Sequence, residues 1–278
     1  MARLIQHKKE AFWFYRFVSI GYDNLINPFF WTIPMREKSL ELAQLDRPDL
    51  QVLDAGAGTG FTTCGIVEKV NSNHVKMLDQ SPHQLAKAKQ KAAINDCEKF
   101  LGDVENLPFA TDTFDRYISA GSIEYWPDPQ RAIAEAYRVT KPGGIALIIG
   151  PLERKNPIAR WLSDTWMLFP SEDAYISWYK LAGFTQIRKV YVAPDWYADE
   201  NSPYAIAIAG VKPSAGKSPA ILSDAIEQAA EPMTLERFLL FWFRFVIGSA
   251  TGALFVPIAA VRSLIAKFNS PQQNSESK

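Results

Sequence analysis

The stretch Val52-Leu53-Asp54-Ala55-Gly56-Ala57-Gly58-Thr59-Gly60 constrains the fold more than any other part of the chain. An apolar run ends in an acidic residue and three alternating glycines, the pattern of a buried strand entering a tight turn before a helix. Without a Cβ, glycine takes positive φ readily and lets a ligand approach the main chain. The spacing is Gly-x-Gly-x-Gly. It is not the Gly-x-Gly-x-x-Gly turn that accommodates a pyrophosphate, and no Gly-Lys-Ser/Thr follows as a phosphate-binding loop requires. The turn suits a nucleoside-type ligand without phosphates. The plainer alternative is a β–α connection with no ligand.

From residue 50 onward, strand-like and helix-like stretches alternate, the mark of a parallel sheet covered on both faces. Strands are expected over 75–79, around Phe100, over 114–119 and over 145–150. Ser81-Pro82 caps and opens a helix over 83–94, Asp128-Pro129 caps another over 130–139, and Lys141-Pro142-Gly143-Gly144 reads as a turn into the fifth strand. Such units build a doubly wound α/β sheet, whose ligands bind at the carboxyl ends of the strands.

Those ends carry acidic residues. Asp79 stands about 20 residues beyond the glycines, the offset at which a carboxylate reaches ribose hydroxyls in dinucleotide folds. Asp103, after Gly102, is placed to accept from the exocyclic amine of a base, although Gly-Asp is also an ordinary turn. Asp54 is placed to hold the cationic end of a ligand, directly or through water.

Composition removes several classes of function. Lys+Arg 30 balances Asp+Glu 30, so no basic field argues for a nucleic-acid partner. His7, His74 and His83 are scattered, and Cys64 and Cys97 have no metal-ligand spacing, so no metal site is expected and a reducing compartment fits. No cleavable leader is read at the start of the sequence.

The two ends differ from the middle. Residues 1–49 read as aromatic-rich helices, either a lid over the core or a membrane-contact segment. The catalytic domain is expected over 50–212, a linker over 213–234, a hydrophobic helix over 235–268 and a polar tail over 269–278. The uncharged run 245–261 would span ~25 Å as a helix, a little less than a ~30 Å hydrocarbon layer. Trp242, Arg244, Arg262 and Lys267 flank it as interfacial anchors, and Gly248 and Gly252 offer a pairing face. Burial against the catalytic domain or a dimer partner is the competing reading.

The Asp54-x-Gly56-x-Gly58-x-Gly60 turn, Asp79, the segment from Gly102-Asp103 to Leu107-Pro108-Phe109, and Arg138-Val139-x-Lys141-Pro142-Gly143-Gly144 resemble, in order and spacing, the motifs of class I S-adenosylmethionine-dependent methyltransferases. The resemblance implies that S-adenosyl-L-methionine is the cofactor, with the three glycines near its methionyl part, Asp79 on the ribose, and Asp103 and Val104 at the adenine. Asp54, Gln80 and Ser119 complete the expected cofactor set. It also implies two more strands, near 184–193 and 204–211, the last antiparallel, giving a seven-stranded, mostly parallel sheet with N-terminal helices and a C-terminal hydrophobic helix.

Further segments, 79–89, 119–130, Trp166-Met167-Leu168-Phe169-Pro170 and Gly210-Val211-Lys212-Pro213, are similar to the plant-type 2-methyl-6-phytyl-1,4-benzoquinol methyltransferases of tocopherol and plastoquinone synthesis. This implies a membrane-anchored C-methyltransferase whose partners are a prenylated hydroquinone and membrane lipid. The expected location is a plastid envelope, thylakoid or cyanobacterial membrane, with the catalytic domain on the stromal or cytoplasmic side. His83, Glu124 and Tyr125 are the candidates to take a phenol proton. The isoprenoid tail is expected along Trp166, Phe169, Trp178 and the N-terminal aromatics. Alternatives are a ubiquinone- or menaquinone-type or other lipid methyltransferase, or a membrane-tethered module that binds cofactor without turnover. A homodimer through the C-terminal helix stays open.

Overall fold

All four residues of β1 (Val52–Ala55) are buried, as a strand must be when the sheet is covered on both faces. The structure is a computed structural model and describes residues 30–157, 160–161, 167–197 and 202–222, with scattered positions between 234 and 265. β1 lies inside a seven-stranded sheet of order β3-β2-β1-β4-β5-β7-β6, in which β2 is Val75–Asp79, β3 Glu98–Leu101, β4 Phe114–Ala120, β5 Thr140–Pro151, β6 Thr185–Val192 and β7 Ala205–Val211. The pairs among β1 to β5 are parallel, and β7 runs antiparallel to both β5 and β6. The order reverses at β1 and β4, which opens a crevice at their carboxyl ends.

Helices cover both faces. α1 (Ile33–Leu40), α2 (Phe61–Ile66) and α3 (Pro82–Ala88) contribute Leu40, Ile66 and Ala88 to one apolar cluster. α4 (Pro129–Val139) and α5 (Glu172–Ala182) contribute Ile133, Tyr137, Tyr175 and Tyr179 to the other. The caps are local chemistry: Ser81, Asp128 and Ser171 side chains accept from Gln84, Arg131 and Ala174 backbone N–H groups.

Three elements differ from the sequence expectation. The helix over 83–94 stops at Ala88, and a 3₁₀ turn at Ala92–Ile94 follows. Ile94 there packs where Gly60 has no side chain, so a tertiary contact overrides strong local helix propensity. The expected turn at Lys141-Pro142-Gly143-Gly144 is instead the opening of β5: the Gly143 N–H donates to the Lys212 carbonyl at 2.8 Å and the Lys212 N–H to that of Gly144 at 3.0 Å, extending the ladder past β7. α1 gives way to a 3₁₀ turn at Glu41–Ala43, which ends on Gln44 in the left-handed region.

The chain leaving β7 stays on the domain. Lys212 is fully buried, and its ammonium donates to Asp112 Oδ1, to the Arg138 carbonyl at 3.2 Å and to that of Gly216 at 2.7 Å. It also lies 4.6 Å from the centre of the Tyr137 ring. The Gly216 N–H returns to Asp112 Oδ2 at 3.0 Å, Ser218 Oγ donates to the Ala182 carbonyl at 2.9 Å, and Pro219 packs beside Gly183. Of the expected N-terminal helices, α1 lies within the described residues. The uncharged run 245–261 falls almost entirely outside them. Among the described residues, no helix is long and apolar enough to cross a membrane.

Candidate active site

The turn after β1 carries all three of its glycines at positive φ: Gly56 at 71°, Gly58 at 56° and Gly60 at 83°. Their surroundings separate their tasks. A Cβ on Gly56 would sit 2.6 Å from Ser122 Cβ, and one on Gly60 would collide with Ile94, whereas one on Gly58 would enter open space. Gly58 therefore borders the cavity directly. Gly60, expected beside a ligand, is not among the residues that line the cavity, and packing against Ile94 leaves it no room for a side chain.

Asp79 closes β2 and faces the same cavity. Its Oδ2 accepts from the Gly58 N–H and its Oδ1 from the Ser81 N–H, both at 2.8 Å. These bonds fix the carboxylate plane and leave acceptor capacity on each oxygen. Burial pushes its pKa up to about 6 against the pull of the two N–H groups. Gln80, Asp103 and Val104 also line the cavity. Asp103 Oδ1 accepts from the Glu105 N–H at 3.0 Å, which fixes the loop after β3.

Asp54 and Ser119 lie behind this surface, not among the residues lining the cavity. Asp54 Oδ2 accepts from Thr63 Oγ1 at 2.6 Å, and its Oδ1 has no partner among the described residues. Burial, with the nearby Asp79 charge, pushes it up to about 7. Ser119 Oγ donates to the Ala55 carbonyl at 2.6 Å and lies 2.7 Å from Ser122 Oγ, so it positions Ser122, which does line the cavity.

The three candidate bases separate as well. His83 is exposed on α3 and does not line the cavity, while its neighbour Gln84 does; consecutive helical residues point about 100° apart. Glu124 and Tyr125 share the 3₁₀ turn Ile123–Tyr125 at the end of β4. Tyr125 lines the cavity. Glu124 does not line it but lies behind that wall: it is 8% exposed, its Oε2 has no partner among the described residues, and burial pushes its pKa up to about 7. Its carbonyl accepts from the Leu168 N–H at 2.9 Å, which brings the segment before α5 over the site. In that segment Phe169 is half-buried. Trp178 packs against the core of α4 and α5, and Trp166 lies outside the described residues.

Two more residues, from the N-terminal part of the chain, line the cavity: Arg36, which no motif marks, and Trp31, one of the N-terminal aromatics. Arg36 on α1 donates to Glu37 at 2.8 Å, to the Phe61 carbonyl at 3.0 Å and to Glu68 at 3.2 Å, and it lies beside Gly65. Only the docking of α1 on α2 brings it to the glycine turn. Trp31 stands against Gly121, which has φ of 62° and no room for a Cβ. No group of three or more His, Cys, Asp or Glu residues suited to a metal occurs among the described residues.

An open Gly58 backbone, a carboxylate braced to receive hydroxyls and an acidic turn after β3 fit S-adenosylmethionine. The fold and cavity define a class I S-adenosylmethionine-dependent methyltransferase. The family model described as "Methyltransferase domain" matches residues 53–148. The solved structure of the [4+2]-cyclase SpnF superposes with a TM-score of 0.61 at 16% identity, covering 74% of this chain and 96% of that one. The chloroplastic 2-methyl-6-phytyl-1,4-hydroquinone methyltransferase of Arabidopsis thaliana is 52% identical over 259 residues, covering 92% of this chain and 76% of that protein. The chain belongs to the 2-methyl-6-phytyl-1,4-hydroquinone methyltransferase family. The ubiquinone/menaquinone biosynthesis C-methyltransferase UbiE of Cereibacter sphaeroides is 30% identical over 122 residues, 42% of this chain and 49% of that protein.

Proposed function

We propose that this protein methylates a ring carbon of 2-methyl-6-phytyl-1,4-benzoquinol and its solanesyl analogue, in tocopherol and plastoquinone synthesis. The observation that carries the reading is 52% identity over 92% of the chain, well beyond the methyltransferase motifs and through both flanks of the cavity. Similarity to the ubiquinone/menaquinone enzyme stops at 42% of the chain, which favours the benzoquinol acceptor over that alternative.

S-adenosylmethionine supplies an electrophilic methyl group. The acceptor ring is already electron-rich, so the chain mainly has to bind and align its ligands and remove a proton. Gly58 borders the methionyl part and Asp79 holds the ribose, with Gln80, Asp103 and Val104 around the base. Glu124 is the base this reading selects. Buried, with a free Oε2 and a pKa near 7, it can take a proton from the acceptor hydroxyl near neutral pH. Tyr125 and Trp126 beside it form cavity wall.

The reading includes a plastid or cyanobacterial membrane location, with membrane contact through the C-terminal segment. The described helical residues Leu235, Phe238, Leu239, Trp242, Phe243 and Val246 are all exposed, at spacings that form one apolar stripe. A methyl-transfer assay over phytyl- and solanesyl-benzoquinols, with ubiquinone and menaquinone precursors as competitors, tests it. Preference for the benzoquinols with methylation at one ring carbon is expected. Transfer to the ubiquinone or menaquinone precursors alone would overturn it.

A further inference from the structure

Beside the cavity stands a cation that nothing in the cofactor site uses. Arg154 follows β5, half-buried. The Tyr204, Tyr197 and Phe169 rings surround its guanidinium, with centres at 4.9, 5.4 and 5.9 Å. No carboxylate pairs with it among the described residues; the neighbouring Glu153 pairs with Arg160 at 3.0 Å. Its Nη1 donates to the Tyr197 hydroxyl at 3.1 Å, and that hydroxyl donates onward to the Ser202 carbonyl at 2.5 Å. The rings cover the guanidinium while its remaining N–H edge has no protein acceptor among the described residues.

The cage adjoins the site. Tyr204 donates to the Phe30 carbonyl at 3.3 Å and packs in one small apolar cluster with Trp31, which lines the cavity. Tyr204 is also close enough to feel both the Arg154 charge and the Glu124 carboxyl. The Glu153 N–H donates to the Pro170 carbonyl at 3.0 Å while the Leu168 N–H reaches the Glu124 carbonyl, so one short segment joins the two residues. Two further buried oxygens here have no partner among the described residues, Glu124 Oε2 and Ser202 Oγ. A guanidinium with no carboxylate partner among the described residues, beside buried oxygens that also lack one there, is a set of polar groups that a polar ligand can complete.

We infer that Arg154 is a binding residue for the acceptor, donating from its free N–H edge to a ring oxygen of the hydroquinone held among Phe169, Tyr197 and Tyr204. The assignment rests on the aromatic acceptor proposed above. A guanidinium bond to a phenolic oxygen is charge-assisted and directional, so it sets which edge of the ring faces the cofactor. The Tyr197 hydroxyl holds the guanidinium in plane, which makes Tyr197 a positioning residue.

The test measures binding of two probes to the full chain loaded with S-adenosylhomocysteine: a methylhydroquinone with a short isoprenoid tail, kept reduced, and the same molecule without its hydroxyls. The wild-type protein should prefer the hydroxylated ring. Arg154→Met should reduce that preference by about 30-fold, as loss of a hydrogen bond to a charged group predicts, and leave the deoxy probe bound within about 2-fold. Arg154→Lys should recover part of it. Tyr197→Phe keeps the ring and should reduce the preference by about 3-fold; it carries the test if Arg154→Met no longer binds S-adenosylhomocysteine. A preference unchanged in these variants, or equal loss of both probes, overturns the role of Arg154 alone. A wild-type protein without preference for the hydroxylated probe overturns the acceptor reading with it.

Discussion

At the amino ends of the parallel strands, Lys212 is fully buried and each of its three N–H donors meets an acceptor. At the carboxyl ends, Asp54, Glu124 and Ser202 each bury an oxygen that meets none among the described residues. The same sheet supports both. Satisfied burial holds structure together, whereas unsatisfied burial lowers stability and keeps polar groups ready for a ligand or a proton. One end of the fold is thus built to be stable and the other to be reactive.

The largest effect should come from the satisfied end. Lys212→Met leaves Asp112 without its cation and should cost about 3 kcal/mol in denaturant unfolding, with S-adenosylhomocysteine affinity of the folded protein unchanged. Lost affinity with normal stability would dissolve the distinction between the ends. Gly58→Val should do the reverse. Its side chain would enter the cavity from a backbone at φ of 56°, weakening S-adenosylhomocysteine about 100-fold by calorimetry, against a stability loss of about 1–2 kcal/mol.

Glu124→Gln sharpens the comparison by joining both effects in one residue. Turnover should fall about 100-fold with little change in cofactor binding. Burial raises the Glu124 pKa from 4.5 to about 7, so the folded state prefers the protonated acid. The stability from that preference is complete below pH 4.5 and is lost as pH rises through about 7. Glutamine escapes the loss, so the variant should equal the parent in stability at pH 4 and exceed it at pH 8. Equal stability at both pH values would show that Glu124 is not strained by burial.

Asp79→Ala should weaken cofactor binding by about 1.5–3 kcal/mol. Ligand hydroxyls favour the ionised carboxylate, so wild-type affinity should fall as pH drops below about 6, and the alanine variant should lose that dependence. The smallest effect concerns the strap after β7. A chain ending at 222 should be more stable than one ending at 213 by about 1–2 kcal/mol, because the shorter one lacks Gly216 and its bonds to Lys212 and Asp112. Equal midpoints would mean that the strap contributes nothing.

The cofactor side was legible because its chemistry is local. Asp79 and the three glycines are tied to a single β–α–β unit, and their spacing in sequence is their spacing in space. Even there the sequence does not separate Gly60 from Gly58, since a glycine that packing against Ile94 requires looks the same in sequence as one that borders a cavity. The proposed acceptor side is assembled from residues near 30, 124, 154, 169, 197 and 204, whose meeting depends on how β5, β7 and α1 dock. No periodicity records it. Arg36 and Arg154 belong to no motif, and only the fold shows what covers them, while His83 and Glu124 stood as equals until helical geometry turned His83 to solvent.

The antiparallel course of β7 fixes where the chain leaves the domain. Its pairing with β5 runs from Ala205 opposite Pro151 to Val211 opposite Ile145, so the exit lies about 20 Å from the carboxyl ends, by the rise of a strand. Strapped there through Pro219, the chain has only the fifteen residues 220–234, a reach of at most about 55 Å, before the apolar stripe begins at Leu235. A membrane-held segment attached at that point would act as a leash: it limits how far the domain strays but not which way it faces. Aim must come from groups beside the opening itself, where Phe30 and Trp31 stand.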